Sequence, residues 1–547
     1  FTSSVYANSP REIPIVRHNI RHALAHSHLP PVSHAGKSLV SALETLPRDE
    51  LFQASKEELY DVATGIMQIQ ERQQVRLFVR RDAFGRFYSC MIYVPRERYN
   101  SGVREKMQEI LGKALGGREI ESYVHMGESR LARVHIIVHT APWQRARIGH
   151  KRLERELAEA SRTWNDRLHE VLIRRYGEER GTILADHWDN SFPLSYQEDV
   201  TPEEALRDIR SLRRLKNARS IDINLYRPAN SSEGELRLKV FCREQPMVLS
   251  DVLPLLENMG LKVIAERPYD LRLHDDSIYW IHVFETVLRG TARQDIEEIA
   301  PRFREVFLSL WAEETENDRI NSLVLSAGFN WHQLRIIRAY AKYLLQTGMP
   351  FGSAYVEEVI ASRAEVAIAL VELFESRFDP RLGAEERKKP VQKANETLNG
   401  ALDRINGQDE DRILRGIAAL VRVTLRTNHF CTGRRGRYRH YVSFKLDSEH
   451  VPELPLPRPM FEIFVYAPHV QGVHLRGGKV ARGGIRWSDR MADFRTEVLG
   501  LMKAQMVKNT VIVPVGSKGG FIATRLPADG TRDEILTEVK RCYRDFI

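Results

Sequence analysis

Two stretches of the sequence run through the same order of elements, and that order leaves little choice of fold. In the first, VRLFVRR from Val75 and FYSCMIYVP from Phe87 are rich in β-branched and aromatic residues and read as strands. A helix follows with Val103, Met107, Ile110, Leu111 and Ala114 along one side. Strands ESYVHM and ARVHIIVH come next, and a long charged helix from about Lys151 to Arg175 closes the stretch. The second stretch repeats this with IDINLY from Ile221, LRLKVFC from Leu236, a helix through Val248, Val252, Leu255, Leu256 and Met259, then LKVIAERPY and IYWIHVFETV, and a closing helix from about Gln294. The pattern is ββαββα twice, so each unit is expected to lay helices on one face of a small antiparallel sheet. Such an arrangement fixes no function by itself.

A chain of 547 residues is too long for one core and implies roughly three to four domains at about 150 residues each. The expected fold class is multidomain α+β and α/β. A partial N-terminal domain and linker are expected over 1–70, the two α+β sandwiches over 71–180 and 215–317, a helical domain over 318–428, and an α/β domain over 429–547. The helical assignment rests on Leu334, Ile337, Tyr340, Ala341 and Leu344, and on Val366, Ala369, Leu370 and Leu373, which recur at three- and four-residue intervals. Within it, FDPRLGAEERKKP reads as a polar connector. In the last domain YVSFKL and MFEIFVYAP read as strands, a Gly- and Arg-rich loop follows, a helix spans roughly Ala492 to Lys508, and TVIVPV reads as a buried strand ending in a GSKGGF loop.

Composition excludes several classes. With 42% hydrophobic and 28% charged residues the chain is neither disordered nor a disulfide scaffold. Cys90, Cys242, Cys431 and Cys542 form no CxxC pair, which suits a reducing cytoplasm. No apolar run reaches the roughly 20 residues of a membrane span, and no leader opens the chain. The net charge, 82 − 73 = +9, is interspersed, and the local excess Arg434, Arg435, Arg437 and Arg439 lacks interleaved stacking aromatics, so no nucleic-acid partner is expected. His18, His22 and His26 fall at i, i+4 spacing with His28 beyond them, but no acid or cysteine cluster accompanies them and no metal is expected. The opening Phe1 and an amphipathic last helix without a stop signal suggest part of a longer polypeptide.

The chemical signal lies in the last domain. Gln505 and Lys508, three apart near a helix end, can together grip a carboxylate. Lys518, hemmed by Gly516, Gly519 and Gly520 and near other cations, is the candidate general base, because confinement and like charge disfavour its ammonium form. Arg482 and Arg486 flank Gly483 and Gly484 and suit an acidic substrate. Taken singly, each has a plain alternative: a tight turn with a solvated lysine, a lysine at a helix dipole, surface charge. A Walker A loop is excluded, since Ser517 precedes Lys518 and Gly519 follows it.

RGGIR, then EVLGLMKAQMVKN, then VPVGSKGGF resembles the substrate-binding core of glutamate dehydrogenases, and the region before it is similar to the long amino-terminal region, with ACT-like domains, of the large NAD-specific bacterial members. The resemblance implies that Lys518 is the catalytic lysine assisting water attack on the iminium carbon and that Gln505 and Lys508 hold the α-carboxylate. Arg482 stands where compact members carry a lysine for the side-chain carboxylate, Gly484 belongs to the adjoining glycine pair, and Arg486 matches the family's arginine. It further implies oxidative deamination of L-glutamate to 2-oxoglutarate and ammonia, with hydride transfer to NAD, and a homo-oligomer. The resemblance also implies that the family's catalytic aspartate lies beyond Ile547; no GxGxxG follows a strand, so the NAD-binding domain is expected there too, and the fragment is expected inactive alone. The competing reading is a module of ACT-like domains that senses an amino-acid effector or mediates oligomer contacts without catalysis of its own.

Overall fold

The structure is a computed structural model that describes residues 8–547 apart from 31, 73, 128, 142–145, 147–148, 217–219, 230, 233, 291–294, 434–437 and 509–514. It divides into two compact units, one reaching to Asp186 and including Thr201–Glu203, the other of His187–Val200 and Glu204–Ile547.

In the first unit helices Pro14–Ser27, His34–Glu44, Arg48–Gln53 and Lys56–Arg72 precede an antiparallel sheet of β1 (Arg76–Arg81), β2 (Phe87–Pro95), β3 (Glu119–His125) and β4 (Leu131–His139), in spatial order β1-β2-β4-β3. Strand β2 is buried almost throughout because both faces of the sheet are covered. Its alternating side chains divide accordingly: Cys90, Ile92 and Val94 join Val103, Met107 and Leu111 of helix Ser101–Leu115, whereas Met91 and Tyr93 join Ile20, Leu43 and Leu59 of the amino-terminal helices. The single closing helix expected from about Lys151 is two, His150–Ala160 and Trp164–Tyr176. The first ends at Ala160 with Ser161 as its cap, and Thr163 caps the second, accepting from Asp166 N while Asp166 accepts from Thr163 N; this reciprocal cap makes a new start cheaper than continuation.

The second unit holds the other four-stranded sheet, β5 (Ile221–Tyr226), β6 (Glu235–Arg243), β7 (Leu261–Arg272) and β8 (Ile278–Leu288), in the matching order β5-β6-β8-β7. Leu238 and Val240 face Val252, Leu256, Phe303 and Phe307 of helices Leu249–Asn258 and Ile296–Trp311. The helical stretch is built around Trp331–Leu345, in which Leu334, Ile337, Tyr340, Ala341 and Leu344 are all buried. Three further helices pack on it, Ser353–Ser362, Ala364–Phe378 and Gln408–Val423, and a fourth, Ala384–Leu402, packs on Ala364–Phe378. The connector expected through Pro390 is therefore shorter than its composition suggests, since helix begins at Ala384 with Glu385 and Glu386 favouring its positive end.

The last sheet has seven strands: β9 (Thr424–Thr427), β10 (Val442–Asp447), β11 (Phe461–Ala467), β12 (Val470–Arg476), β13 (Ala481–Arg482), β14 (Ile485–Trp487) and β15 (Val515–Ala523). Its pairings are antiparallel except that β13 and β14 both run parallel to β15. Strand β9 lies just ahead of the boundary expected at 429. Helix Phe494–Lys508 covers one face, and Val539, Cys542 and Phe546 of helix Arg532–Phe546 pack with Phe521 and Ala523 on the other. Tyr340 stacks on Phe444 at 4.2 Å between ring centroids, joining helical stretch and sheet in one core.

Candidate functional site

The GSKGG segment is strand, not the loop expected from its glycines: residues 516–520 lie inside β15. The expectation fails because these glycines serve close packing. A Cβ on Gly516 would meet Gln505 Cβ at 3.3 Å, and one on Gly520 would fall 2.3 Å from Val498 Cγ2, so both let helix Phe494–Lys508 lie directly on the strand. Alternation puts Lys518 on that same helix-covered face, half-buried between the two glycines, opposite Leu475 of β12.

On the other side of β15 the pairs Arg482↔Gly516 and Ile485↔Gly519 share one register, which brings Gly483 beside Ser517 and Gly484 beside Lys518. Gly519 N donates to Gly484 O at 3.0 Å. A Cβ on Gly483 would lie 1.5 Å from Ser517 O, so only glycine allows this approach. A Cβ on Gly484 would meet nothing within 4 Å, which marks open space next to the lysine.

Around that space the structure gathers most of the expected residues. Gln505 Nε2 donates to Arg482 O at 3.0 Å, and its Oε1 is buried without a partner among the described residues. Arg482 is exposed on the edge. Lys508 closes the helix, but its side chain, like Arg434, Arg435 and Arg437, lies outside the described residues, as does nearly all of the TVIVPV strand. Arg486 is held differently: its Nε pairs with Glu497 Oε1 at 3.1 Å, and Ser488 Oγ donates to the other Glu497 oxygen. Lys518 itself has no hydrogen-bond or ion-pair partner among the described residues.

Sequence reasoning missed what holds the helix that carries Gln505. Arg495, fully buried, donates from Nε to Glu462 of β11 at 2.9 Å, and Tyr343 OH donates to the same carboxylate at 2.6 Å. Burial alone would lower the Arg495 pKa, but the charge of Glu462 outweighs it and the guanidinium is held more firmly protonated. Gln346 donates to Met491 O and Ala492 O and accepts from Arg495 N. No spacing rule reveals a network whose members lie 33 and 119 residues apart.

The described residues do not fit a dinucleotide cradle, for the glycines among them that lead from a strand into a helix, such as Gly149 and Gly530, stand singly and form no Gly-x-Gly-x-x-Gly turn. Of the early histidines, His18, His22 and His26 lie on one helix and His28 caps its end; His22 and His26 stack at 6.4 Å and His26 meets Tyr60 edge-on at 4.8 Å.

Six family models match in succession. Residues 397–547 match the bacterial NAD-glutamate dehydrogenase catalytic domain, 76–165 and 220–299 the glutamate dehydrogenase ACT2 and ACT3 domains, and 13–72, 171–215 and 315–380 its helical motifs 1, 2 and 3. The NAD-specific glutamate dehydrogenase of Pseudomonas aeruginosa is 43% identical over 549 residues, covering 100% of this chain and 34% of that protein. Those of Halomonas elongata and Mycobacterium tuberculosis are 41% and 38% identical over 547 and 560 residues, covering 100% and 98% of this chain and again 34% of each relative. The chain thus spans about a third of the length of these relatives. Matched in order from helical motif to catalytic domain, and alike along its length to proteins of one name, the chain belongs to the NAD-specific glutamate dehydrogenase family.

Proposed function

We propose that this chain carries the substrate-recognising part of an NAD-dependent oxidoreductase that deaminates L-glutamate to 2-oxoglutarate and ammonia. The observation that carries the reading is the register that sets Lys518 against Gly484, with open space beside it and Arg482 and Gln505 at one end. An unpaired amine and an unpartnered amide oxygen flanking one opening suit a ligand that brings both a carboxylate and an amine. In this reading Gln505 and Lys508 hold the α-carboxylate and Arg482 the side-chain carboxylate. Lys518 takes the proton of the water that adds to the iminium carbon and returns one to the departing nitrogen. Arg486, already paired with Glu497, shapes the edge strand and assists binding at its rim. NAD is the proposed oxidant of the whole protein.

The decisive experiment is Lys518→Ala in the complete protein. It is expected to lower kcat by about 10²–10⁴ with an unchanged circular dichroism spectrum. An unchanged kcat removes Lys518 from the chemistry.

We further propose domain limits of 1–70, 71–180, 215–317, 318–428 and 429–547, and that the two four-stranded units are ACT-like ββαββα sandwiches serving a cytoplasmic homo-oligomer and a response to an amino-acid effector. Their matching strand orders support this, and no described helix is long and apolar enough to cross a membrane. Calorimetric titration with a panel of amino acids tests the effector role, and absence of heat from any of them leaves the units purely architectural.

A further inference from the structure

At the far end of β15 from Lys518, side chains from three segments converge. His469 sits in the turn between β11 and β12, His440 just before β10, and Asp545 in the last turn of helix Arg532–Phe546. His469 Nε2 lies 2.7 Å and His440 Nε2 3.0 Å from Asp545 Oδ2, and the candidate ligand atoms of all three lie within 4.8 Å of one another. It is the group of three or more His, Cys, Asp or Glu found converging in this way among the described residues. Along the strand, Lys518 is separated from this end by about 17 Å, at about 3.3 Å per residue.

The geometry points to a divalent transition-metal site, with His440, His469 and Asp545 as protein ligands and Zn²⁺ as the ion. Two imidazoles and a carboxylate are the borderline nitrogen and oxygen donors that suit this ion, and three protein ligands leave a position for water.

Hydrogen bonding alone accounts poorly for His440. Its side chain is 60% exposed, where an imidazole–carboxylate pair adds little. Yet both rings turn Nε2, from separate segments, onto a single oxygen. That exposure also provides entry, through a cavity of about 890 Å³ that His440 and His469 line together with Glu538 and Arg541. Glu538 offsets the Arg541 charge. The position of His469 is fixed independently of any ion, since its carbonyl accepts from Thr524 N at 3.0 Å and from Cys542 Sγ at 3.3 Å. Replacing two shared protons by one tetrahedral cation widens the ligand spacing to about 3.4 Å, a shift of about half an ångström. The bound ion would pin helix Arg532–Phe546 to the sheet end, behind the strand whose other face carries Lys518.

The test uses the untagged 547-residue chain stripped with chelator, titrated with Zn²⁺ by calorimetry and against a chromogenic chelator, with Co²⁺ absorption as a reporter of coordination. One ion per chain is expected, with a rise in the unfolding midpoint. Uptake is expected to be lost in His469→Ala and Asp545→Asn and weakened at least about tenfold in the exposed, fold-neutral His440→Gln. No stoichiometric uptake, or uptake that all three variants retain, overturns the assignment.

Discussion

The two four-stranded units share strand order and helix placement, yet they solve the same burial problem with opposite results. In each, the sheet face turned away from its own two helices carries a buried base that meets an acid from a covering helix. In the first, Arg80 of β1 grips Glu50 with two bonds of 2.8 Å and reaches Gln53 at 3.2 Å. In the second, Lys239 of β6 and Tyr196 OH each donate to one oxygen of Asp208 at 2.6 Å. Burial pushes both carboxyls up. The forked guanidinium, a bond from Ser89 and the charges of Arg80 and His135 reverse that for Glu50, whose pKa is lowered. For Asp208 burial prevails over Lys239 and Tyr196, and its pKa is raised. A planar fork satisfies both oxygens of a carboxylate; an ammonium and a hydroxyl crowded on one oxygen do not. Equal topology therefore leaves charge placement free.

The largest expected effect breaks the pair with the stronger hold. Arg80→Met leaves Glu50 ionised and buried without its fork, and should cost the first unit about 3–5 kcal/mol. Lys239→Met lets Asp208 keep a proton instead, and should cost the second unit only about 1–2 kcal/mol. Hydrogen exchange read separately on β2 and β6 measures both. Equal losses would erase the distinction drawn between the two acids.

Acid should then move the two regions in opposite directions. Glu50, held below 4.5, is stabilising above that pH and loses its contribution as pH falls through its lowered folded value. His135 adds to the loss: burial and the Arg133 and Arg80 charges outweigh Glu50 and hold it below 6.5, so the unfolded chain takes the proton first. Asp208, held above 3.8, takes up its proton in the folded chain first, so stability is gained as pH falls from its raised value toward 3.8. Each proton changes stability by up to about 1.4 kcal/mol per pH unit. In urea unfolding across this range, Glu50→Gln should flatten an acid-induced loss and Asp208→Asn an acid-induced gain. Slopes of the same sign in both variants would refute the assignment.

What the sequence disclosed, and what it hid, follows the same division between local and distant causes. Periodicity located the strands of both units and the buried face of Trp331–Leu345, because side-chain alternation and helical stripes are local consequences of burial. Residue types around GSKGG pointed to one site, and the register does bring Arg482, Gly484, Gln505 and Lys518 into one neighbourhood. The secondary structure of that segment was misjudged, since glycine signals a turn and a close approach alike, and only the packed helix tells them apart. Arg495 with Glu462, and His440 and His469 with Asp545, left no trace at all: their partners are set by topology.

The smallest expected effect concerns the closing helices. In the first unit the chain breaks after Ala160 and restarts at Trp164, whereas Ile296–Trp311 runs unbroken through Pro301. The restart depends on Thr163, whose Oγ1 accepts from Asp166 N at 3.1 Å while Asp166 Oδ2 accepts from Thr163 N at 3.0 Å. Arg98 also ties Asp166 Oδ1 at 3.0 Å, so the cap fixes the helix direction as well as its start. The continuous helix has a looser start, with Asp295 accepting from Glu297 N at 3.4 Å. Thr163→Ala should therefore destabilise its unit by about 1 kcal/mol and Asp295→Ala by about 0.5 kcal/mol, both read from local exchange in the first helical turn. If Asp295 proves the costlier loss, the break is set by packing of Leu157 and Leu168 against the rest of the unit, and not by the capping residue between them.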